Sequence, residues 1–140
     1  MEFLAGSPIP GLPTEIAYLA LAVVMLGLHV CFQSILLTRE LGSDYNAGPR
    51  DEGQKVSGVA GRAERALRNF NETFPAFASL ALAINVTGGA DWWTGFGAAL
   101  YLWSRVVYLP LYLLGIKYWR SLVFLVSCLG LIILFVRLVF

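Results

Sequence analysis

The feature that most constrains this chain is a set of long apolar runs. Three of them, Ile16–Leu37, Trp92–Ile116 and Ser121 to Val136 or beyond, are long enough to cross a membrane, since about 30 Å of hydrocarbon requires roughly 20 helical residues. Of the 140 residues, 58% are hydrophobic and 14% are charged. This composition is typical of integral membrane proteins, and the length allows one small domain, residues 1–140.

A fourth apolar run, Thr73–Val86, is too short to cross alone. If it spans the membrane, its helix must begin in the charged stretch RAERALRNFNETFPAF, Arg62–Phe77, with a kink at Pro75. Gly, Pro, Asn and Asp before that stretch indicate a polar loop. The sequence therefore predicts an all-α four-helix membrane bundle, with helices over about 15–39, 61–85, 92–115 and 119–139 and a loop over 40–60.

The distribution of basic residues predicts the orientation. The first 15 residues contain no Lys or Arg, so we expect no cleavable signal peptide, and their prolines indicate a stiff lead-in. Basic residues collect in the loop after helix one and around the connection between helices three and four. By the positive-inside rule both basic loops are cytoplasmic and both termini are outside, with Arg137 against the trend.

Several function classes are disfavoured. A net charge of +1 gives no reason to expect a nucleic-acid partner. Cys31 and Cys128 lie apart in predicted spans and form neither a disulfide framework nor a metal motif. His29 has no cysteine or carboxylate at ligand spacing, which favours a hydrogen bond between helices over a metal site or a catalytic base. We expect no bound metal.

Two polar stripes are unusual for such an apolar chain. In helix two, Arg65, Arg68, Asn69 and Glu72 share one face, with Glu64 beside them. An ionised residue at mid-bilayer costs roughly 2.5 to 3.5 kcal/mol, whereas a large apolar residue returns only about 0.3 to 0.6 kcal/mol. The stripe must therefore face protein or water.

Helix three carries the second stripe, in which Tyr101, Arg105, Tyr108 and Tyr112 recur at spacings of four, three and four. Two interpretations remain open: the charges pair with each other to hold a bundle together, or the stripes line a cavity. A cavity in which arginines outnumber carboxylates favours an anionic ligand. An ion pathway is the weaker alternative, because helix four has no such stripe.

The run Arg65-Ala-Leu-Arg-Asn69-Phe-Asn-Glu72-Thr-Phe-Pro75 resembles the R-A-x-x-N-x-x-E-x-x-P signature of the MAPEG family, the membrane-associated proteins in eicosanoid and glutathione metabolism. Arg105-Val-Val-Tyr108-Leu-Pro-Leu-Tyr112, with Arg120 after it, is similar to a second segment of that family. The resemblance covers nearly the whole chain. It implies a homotrimer that binds glutathione between subunits near the cytoplasmic face. The chain is similar in length to bacterial members of the family, which implies a location in a bacterial inner membrane.

The resemblance also implies roles for individual residues. Arg120 would act on the glutathione sulfur, and the residues that would bind the tripeptide or support its site are Arg65, Asn69, Glu72, Arg105, Tyr108, Tyr112 and Arg39. The expected activity is that of a transferase or peroxidase that attacks lipophilic electrophiles or lipid hydroperoxides. Thr73 and Leu67 depart from residues that contact glutathione in some members, so a non-catalytic or lipid-binding membrane subunit is the alternative.

Overall fold

The computed structural model describes residues 6–140 and is helical throughout its regular elements. The helices are α1 (Thr14–Leu41), α2 (Ser43–Ala47), α3 (Gly58–Thr87), α4 (Trp92–Leu114) and α5 (Lys117–Val139). Residues 6–140 contain no strand, which confirms the all-α prediction. The predicted lead-in begins in residues 1–5, which lie outside the described part of the chain.

The segment between α1 and α3 differs from the predicted polar loop. It contains the additional helix α2, so the described part has five helices where four were expected. The Asn46 amide in α2 donates to the hydroxyls of Ser34 (3.0 Å) and Thr38 (2.8 Å) on α1. A five-residue helix held by such contacts has too few residues to produce a periodic pattern.

Helix α3 begins earlier than predicted, at Gly58, and continues through Pro75 to Thr87. Its start is tied to the end of α1, because the Glu40 carboxylate accepts hydrogen bonds from the Ser57 backbone N–H (2.8 Å) and hydroxyl (3.1 Å). Gly88 ends the helix in a left-handed conformation at φ 71°, which glycine adopts without steric cost. The 30 residues of α3 correspond to about 45 Å at 1.5 Å per residue.

The core lies between an alanine-rich face of α3 and the neighbouring helices. Small residues on that face let the helices approach, and Phe70 and Phe77 fill the space between them. The Phe77 ring stacks on Tyr101 of α4 with centroids 4.1 Å apart and an interplanar angle of 14°, so the two helices are in close contact here. The buried residues of α3 are Ala60, Gly61, Ala63, Ala66, Phe70, Phe77, Ala81 and Ile84.

Helices α4 and α5 pack closely at Gly97 and Gly130. A Cβ added at Gly130 would lie 2.6 Å from the carbonyl oxygen of Gly97 and 2.9 Å from the backbone nitrogen of Tyr101. Both distances are too short for non-bonded atoms, so the backbones can meet only because glycine has no side chain. This contact fixes the position of α5 relative to the polar face of α4.

A polar cluster joins the helices at the end of the bundle where α4 begins. Asp91 caps α4 by accepting from the Thr94 backbone N–H (2.9 Å), and its carboxylate also pairs with Arg137 of α5. The buried Glu15 of α1 accepts from the Thr94 hydroxyl and from the Asn85 amide. Partial burial raises the pKa of Asp91, but hydrogen bonds from Thr94 and Arg137 outweigh it and hold that pKa below its usual value.

Three of the described helices, α1, α4 and α5, are long and apolar enough to cross a membrane. Exposed apolar residues such as Val24, Leu125 and Ile132 cover their outer surfaces. Because a soluble protein rarely exposes so large an apolar area, these surfaces are suited to contact with lipid. The chain is therefore a membrane protein, in which α3 has the charged first half that the sequence showed.

Candidate functional site

Arg105 on α4 is the centre of the polar region. Its side chain is fully buried, at 0% exposure, although α4 is one of the apolar spans. The guanidinium donates to the Asn69 side-chain oxygen and to the Thr73 hydroxyl of α3, both at 2.7 Å. Ion pairs among residues 6–140 are Arg68–Glu64 and Arg137–Asp91, so no described carboxylate neutralises Arg105.

Aromatic rings surround the same guanidinium. Its central carbon lies 5.5 Å from the Tyr101 ring centroid, 5.4 Å from Tyr108 and 5.1 Å from Phe124 of α5. A cation over aromatic faces is stabilised by about 2 kcal/mol or more when it is desolvated. The two neutral acceptors and three rings therefore replace the counter-ion as partners of a buried charge.

A cavity opens beside these rings, between α3, α4 and α5, and we call it the arginine cavity. Its volume is about 330 Å³, at the lower end of the range of about 300 to 1,000 Å³ for ligand sites. The side chains that line it are Asn69, Tyr108, Tyr112, Arg120, Ser121, Phe124 and Leu125. Asn69, Tyr108 and Phe124 each also contact Arg105, which lies behind them.

Arg120 supplies the cation that faces the cavity itself. It lies in the first turns of α5, and its guanidinium carbon is 4.7 Å from the ring centroid of Tyr112. The Tyr112 ring in turn lies 5.3 Å from that of Tyr108, which contacts Arg105. The cavity thus combines an accessible cation and two phenol groups, with a buried cation behind its lining, and this set can hold an anion and stabilise charge on a reacting atom.

The other residues of the polar stripe predicted for helix two, which corresponds to α3, face outward from the single chain. Arg65 and Glu72 are exposed, and Arg68 pairs with Glu64 at 3.2 Å. Arg65 and Arg68 line a second cavity of about 460 Å³ beneath the loop that carries Lys55. Among residues 6–140, the arginine cavity includes neither Arg65 nor Glu72.

Two further sequence predictions concern α1. Arg39 is exposed in the last turn of α1 and is not among the described residues lining the arginine cavity. His29 is buried, its Nδ1 lies 2.8 Å from the Met25 carbonyl oxygen, and its Nε2 has no partner among residues 6–140. The prediction that His29 forms a hydrogen bond between helices is therefore wrong, because its bond stays within α1. The imidazole ring lies against Phe70 of α3 with centroids 4.7 Å apart.

The sequence did not single out Thr73 as a partner of Arg105 or Phe124 as part of the site. Thr73 lies four residues after Asn69 and Phe124 four residues after Arg120, so each shares a helix face with a predicted site residue. The spacing of four residues was therefore the sequence feature that could have identified Thr73 and Phe124 as part of the site. Which of the neighbours on the face turns toward Arg105 depends on how the helices pack.

Fold and site together define a helical membrane protein with an arginine- and tyrosine-lined cavity between α3, α4 and α5. The family model of the MAPEG family matches residues 16–140, and the chain belongs to this family. This finding confirms the resemblance read from the two motifs. No curated protein and no solved structure matches the chain.

Proposed function

We propose that this protein binds glutathione in the arginine cavity and activates its thiol as a thiolate, acting as a membrane glutathione transferase or peroxidase. The observation that carries the proposal is the set of Asn69, Tyr108, Tyr112 and Arg120 around one cavity in a MAPEG protein. Glutathione has two carboxylates and a thiol. Guanidinium groups bind carboxylates bidentately, and a cation also favours the ionised form of the thiol.

Arg120 is the proposed catalytic residue. A free thiol has a pKa near 8.5, so a mostly ionised thiol at neutral pH requires a decrease of about two units, or roughly 2.7 kcal/mol. A hydrogen bond to a charged group contributes about 1.5 to 3 kcal/mol. One bond from Arg120 to the sulfur is therefore of sufficient magnitude, and a hydroxyl of Tyr108 or Tyr112 would add to it.

The second substrate would be a lipophilic electrophile or a lipid hydroperoxide that enters from the bilayer. An apolar groove of about 310 Å³ lies between α4 and α5 and includes Val107 and Val123. These residues directly precede Tyr108 and Phe124 of the arginine cavity. Attack of the thiolate on an electrophilic carbon would form a C–S bond and give a thioether, either with departure of a leaving group as its anion or with breaking of a π bond and protonation of the neighbouring atom. Reduction of a hydroperoxide would consume two glutathione molecules and give an alcohol, water and glutathione disulfide.

The outward charges of α3 support a homotrimer in which a neighbouring subunit completes the site. Arg65, Arg68 and Glu72 are exposed on the single chain, and charged groups at membrane depth face protein or water rather than lipid. In a trimer they would meet a second copy, where Arg65 and Glu72 would join Arg39 in binding the tripeptide. Under the positive-inside rule this end of the bundle is cytoplasmic, in the inner membrane if the protein is bacterial.

A non-catalytic membrane subunit or lipid-binding protein is the second candidate, and the same outward charges favour it. Ion pairs across a subunit interface would account for Arg65 and Glu72 without any glutathione. This alternative predicts that Arg65→Ala and Glu72→Ala dissociate the assembly in detergent. It also predicts that Arg120→Ala has no effect on any thiol.

The test is the ultraviolet difference spectrum of detergent-solubilised protein titrated with glutathione at neutral pH. We expect a saturable thiolate band in wild type, its loss in Arg120→Ala, and its retention in Lys117→Ala. Lys117 is a matched control because it is an exposed cation in the first turn of the same helix. Absence of the band from wild type at millimolar glutathione would refute the proposal and favour the second candidate.

A further inference from the structure

Thr73 and Tyr101 form a hydroxyl pair behind the arginine cavity. The Thr73 hydroxyl lies 3.1 Å from the Tyr101 hydroxyl and 3.3 Å from the Phe70 carbonyl oxygen, and it accepts from Arg105 at 2.7 Å. A threonine hydroxyl has one hydrogen and two lone pairs. If the hydrogen goes to the carbonyl, Arg105 and Tyr101 fill the lone pairs, and every bonding capacity of this oxygen is used.

The pair determines how Arg105 is oriented. The guanidinium donates to Asn69 and to Thr73 at 2.7 Å, the Tyr101 hydroxyl is a further hydrogen-bond partner, and the Nε has no partner among residues 6–140. With both acceptors the plane of the guanidinium is fixed. Without the Thr73–Tyr101 pair only Asn69 would hold it, and it could turn about that bond, because no carboxylate pairs with it in the described part of the chain.

The orientation of Arg105 matters because the guanidinium forms the back of the cavity wall. It contacts the rings of Tyr108 and Phe124 from behind and holds the side-chain oxygen of Asn69. All three residues line the cavity. A rotated guanidinium would therefore displace the wall and move a buried positive charge relative to whatever the cavity binds.

We infer that Thr73 and Tyr101 are positioning residues of the glutathione site, whose hydroxyls orient Arg105 against the wall that faces the bound tripeptide. Neither hydroxyl needs to touch glutathione for this role. The inference rests on the proposed function, since it concerns the same cavity. It assigns Thr73 a role in binding Arg105 and gives the buried Tyr101 hydroxyl a specific purpose.

The test measures the thiolate band of the glutathione complex as a function of pH in Thr73→Val, Thr73→Ser and Tyr101→Phe. Thr73→Val replaces the hydroxyl by a methyl group of similar size, whereas Thr73→Ser retains the hydroxyl. Thr87→Val is the matched control, because its hydroxyl bonds only to the Ala83 and Ile84 carbonyls at the far end of α3. Other titratable or charged groups near Arg105, which stay unchanged, are Tyr108, Tyr112, Arg120, Cys128 and His29.

In Thr73→Val we expect the ionisation constant of the bound thiol to fall about three- to tenfold, seen as a midpoint about half to one pH unit higher and as about 1.5- to threefold less thiolate at pH 7. Tyr101→Phe should shift the midpoint in the same direction by less, because Asn69 and Thr73 still hold Arg105. Thr73→Ser should restore the wild-type midpoint, and Thr87→Val should retain it. A general loss of stability would lower the folded fraction and the band amplitude without moving the midpoint.

Unchanged midpoints in Thr73→Val and Tyr101→Phe, with a normal wild-type band, would overturn the positioning role and leave the proposed function intact. If Thr73→Val does not fold, Tyr101→Phe decides the question, because it removes only one hydroxyl. Absence of the band from wild type would refute the proposed function and, with it, this inference. The two failures are therefore distinguishable.

Discussion

Replacing Arg105 by methionine tests the account of its buried charge. The change removes two hydrogen bonds of 2.7 Å, which contribute about 1.5 to 3 kcal/mol each, or roughly 3 to 6 kcal/mol together. It also removes the contacts of a desolvated cation with three rings, about 2 kcal/mol or more. Against these losses, it removes the desolvation cost of a guanidinium that has no described counter-ion, which amounts to several kcal/mol. Because methionine fills much of the same space, we expect the free energy of unfolding to change by no more than about 2 kcal/mol.

The alanine variant at the same position separates volume from charge. Arg105→Ala leaves a cavity among Tyr101, Tyr108 and Phe124, and truncation of a large core side chain costs about 2 to 5 kcal/mol. Unfolding by sodium dodecyl sulfate, followed by far-ultraviolet circular dichroism, measures both variants. A loss above about 4 kcal/mol in Arg105→Met would contradict this balance, since the hydrogen bonds would then far outweigh the desolvation cost.

Two further predictions concern the packing and the end of the bundle. Gly130→Ala should destabilise the protein by about 2 kcal/mol or more, because its Cβ would clash with the backbone of Gly97. Gly27→Ala, with open space at its Cβ, should be neutral or slightly stabilising. Equal effects of the two changes on detergent unfolding would contradict the close contact between α4 and α5. Asp91→Asn should reduce stability at neutral pH by at most about 1 kcal/mol, because the pair with Arg137 is partly exposed. Since the pKa of Asp91 is lowered in the folded state, the contribution of its carboxylate to stability is present above about pH 4 and lost as the pH falls through the folded pKa. A stability difference between wild type and Asp91→Asn that grows on acidification would contradict this prediction.

The apolar runs predicted the positions of the long helices because helix length and hydropathy are local properties of the sequence. The runs at Ile16–Leu37, Trp92–Ile116 and after Ser121 correspond to α1, α4 and α5. Helix α2 could not be predicted in this way, since it depends on contacts of Asn46 with residues 12 and 8 positions earlier in α1, which lie beyond the spacing of a single helical turn. The same limit applies to the start of α3, which is tied to Glu40 of α1.

For the site, helical spacing predicted which residues share a face but not which neighbouring helix they meet. Asn69 and Arg105 were in separate predicted stripes, and the structure joins them by a hydrogen bond. Arg65 belongs to the same stripe as Asn69 yet faces outward. The difference arises because residues four apart on a helix are rotated by about 40°, enough to place one at the α4 interface and the other outside it.

If the protein binds glutathione as its thiolate, binding must release the thiol proton. Calorimetric titration with glutathione at pH 7, in buffers of different ionisation enthalpy, counts the protons released for each molecule bound. A thiol pKa lowered by two units or more predicts release of about 0.7 to 1 proton, and none from S-methylglutathione, which has no thiol proton. Binding of glutathione without proton release would show that the bound thiol stays protonated and would contradict the proposed activation.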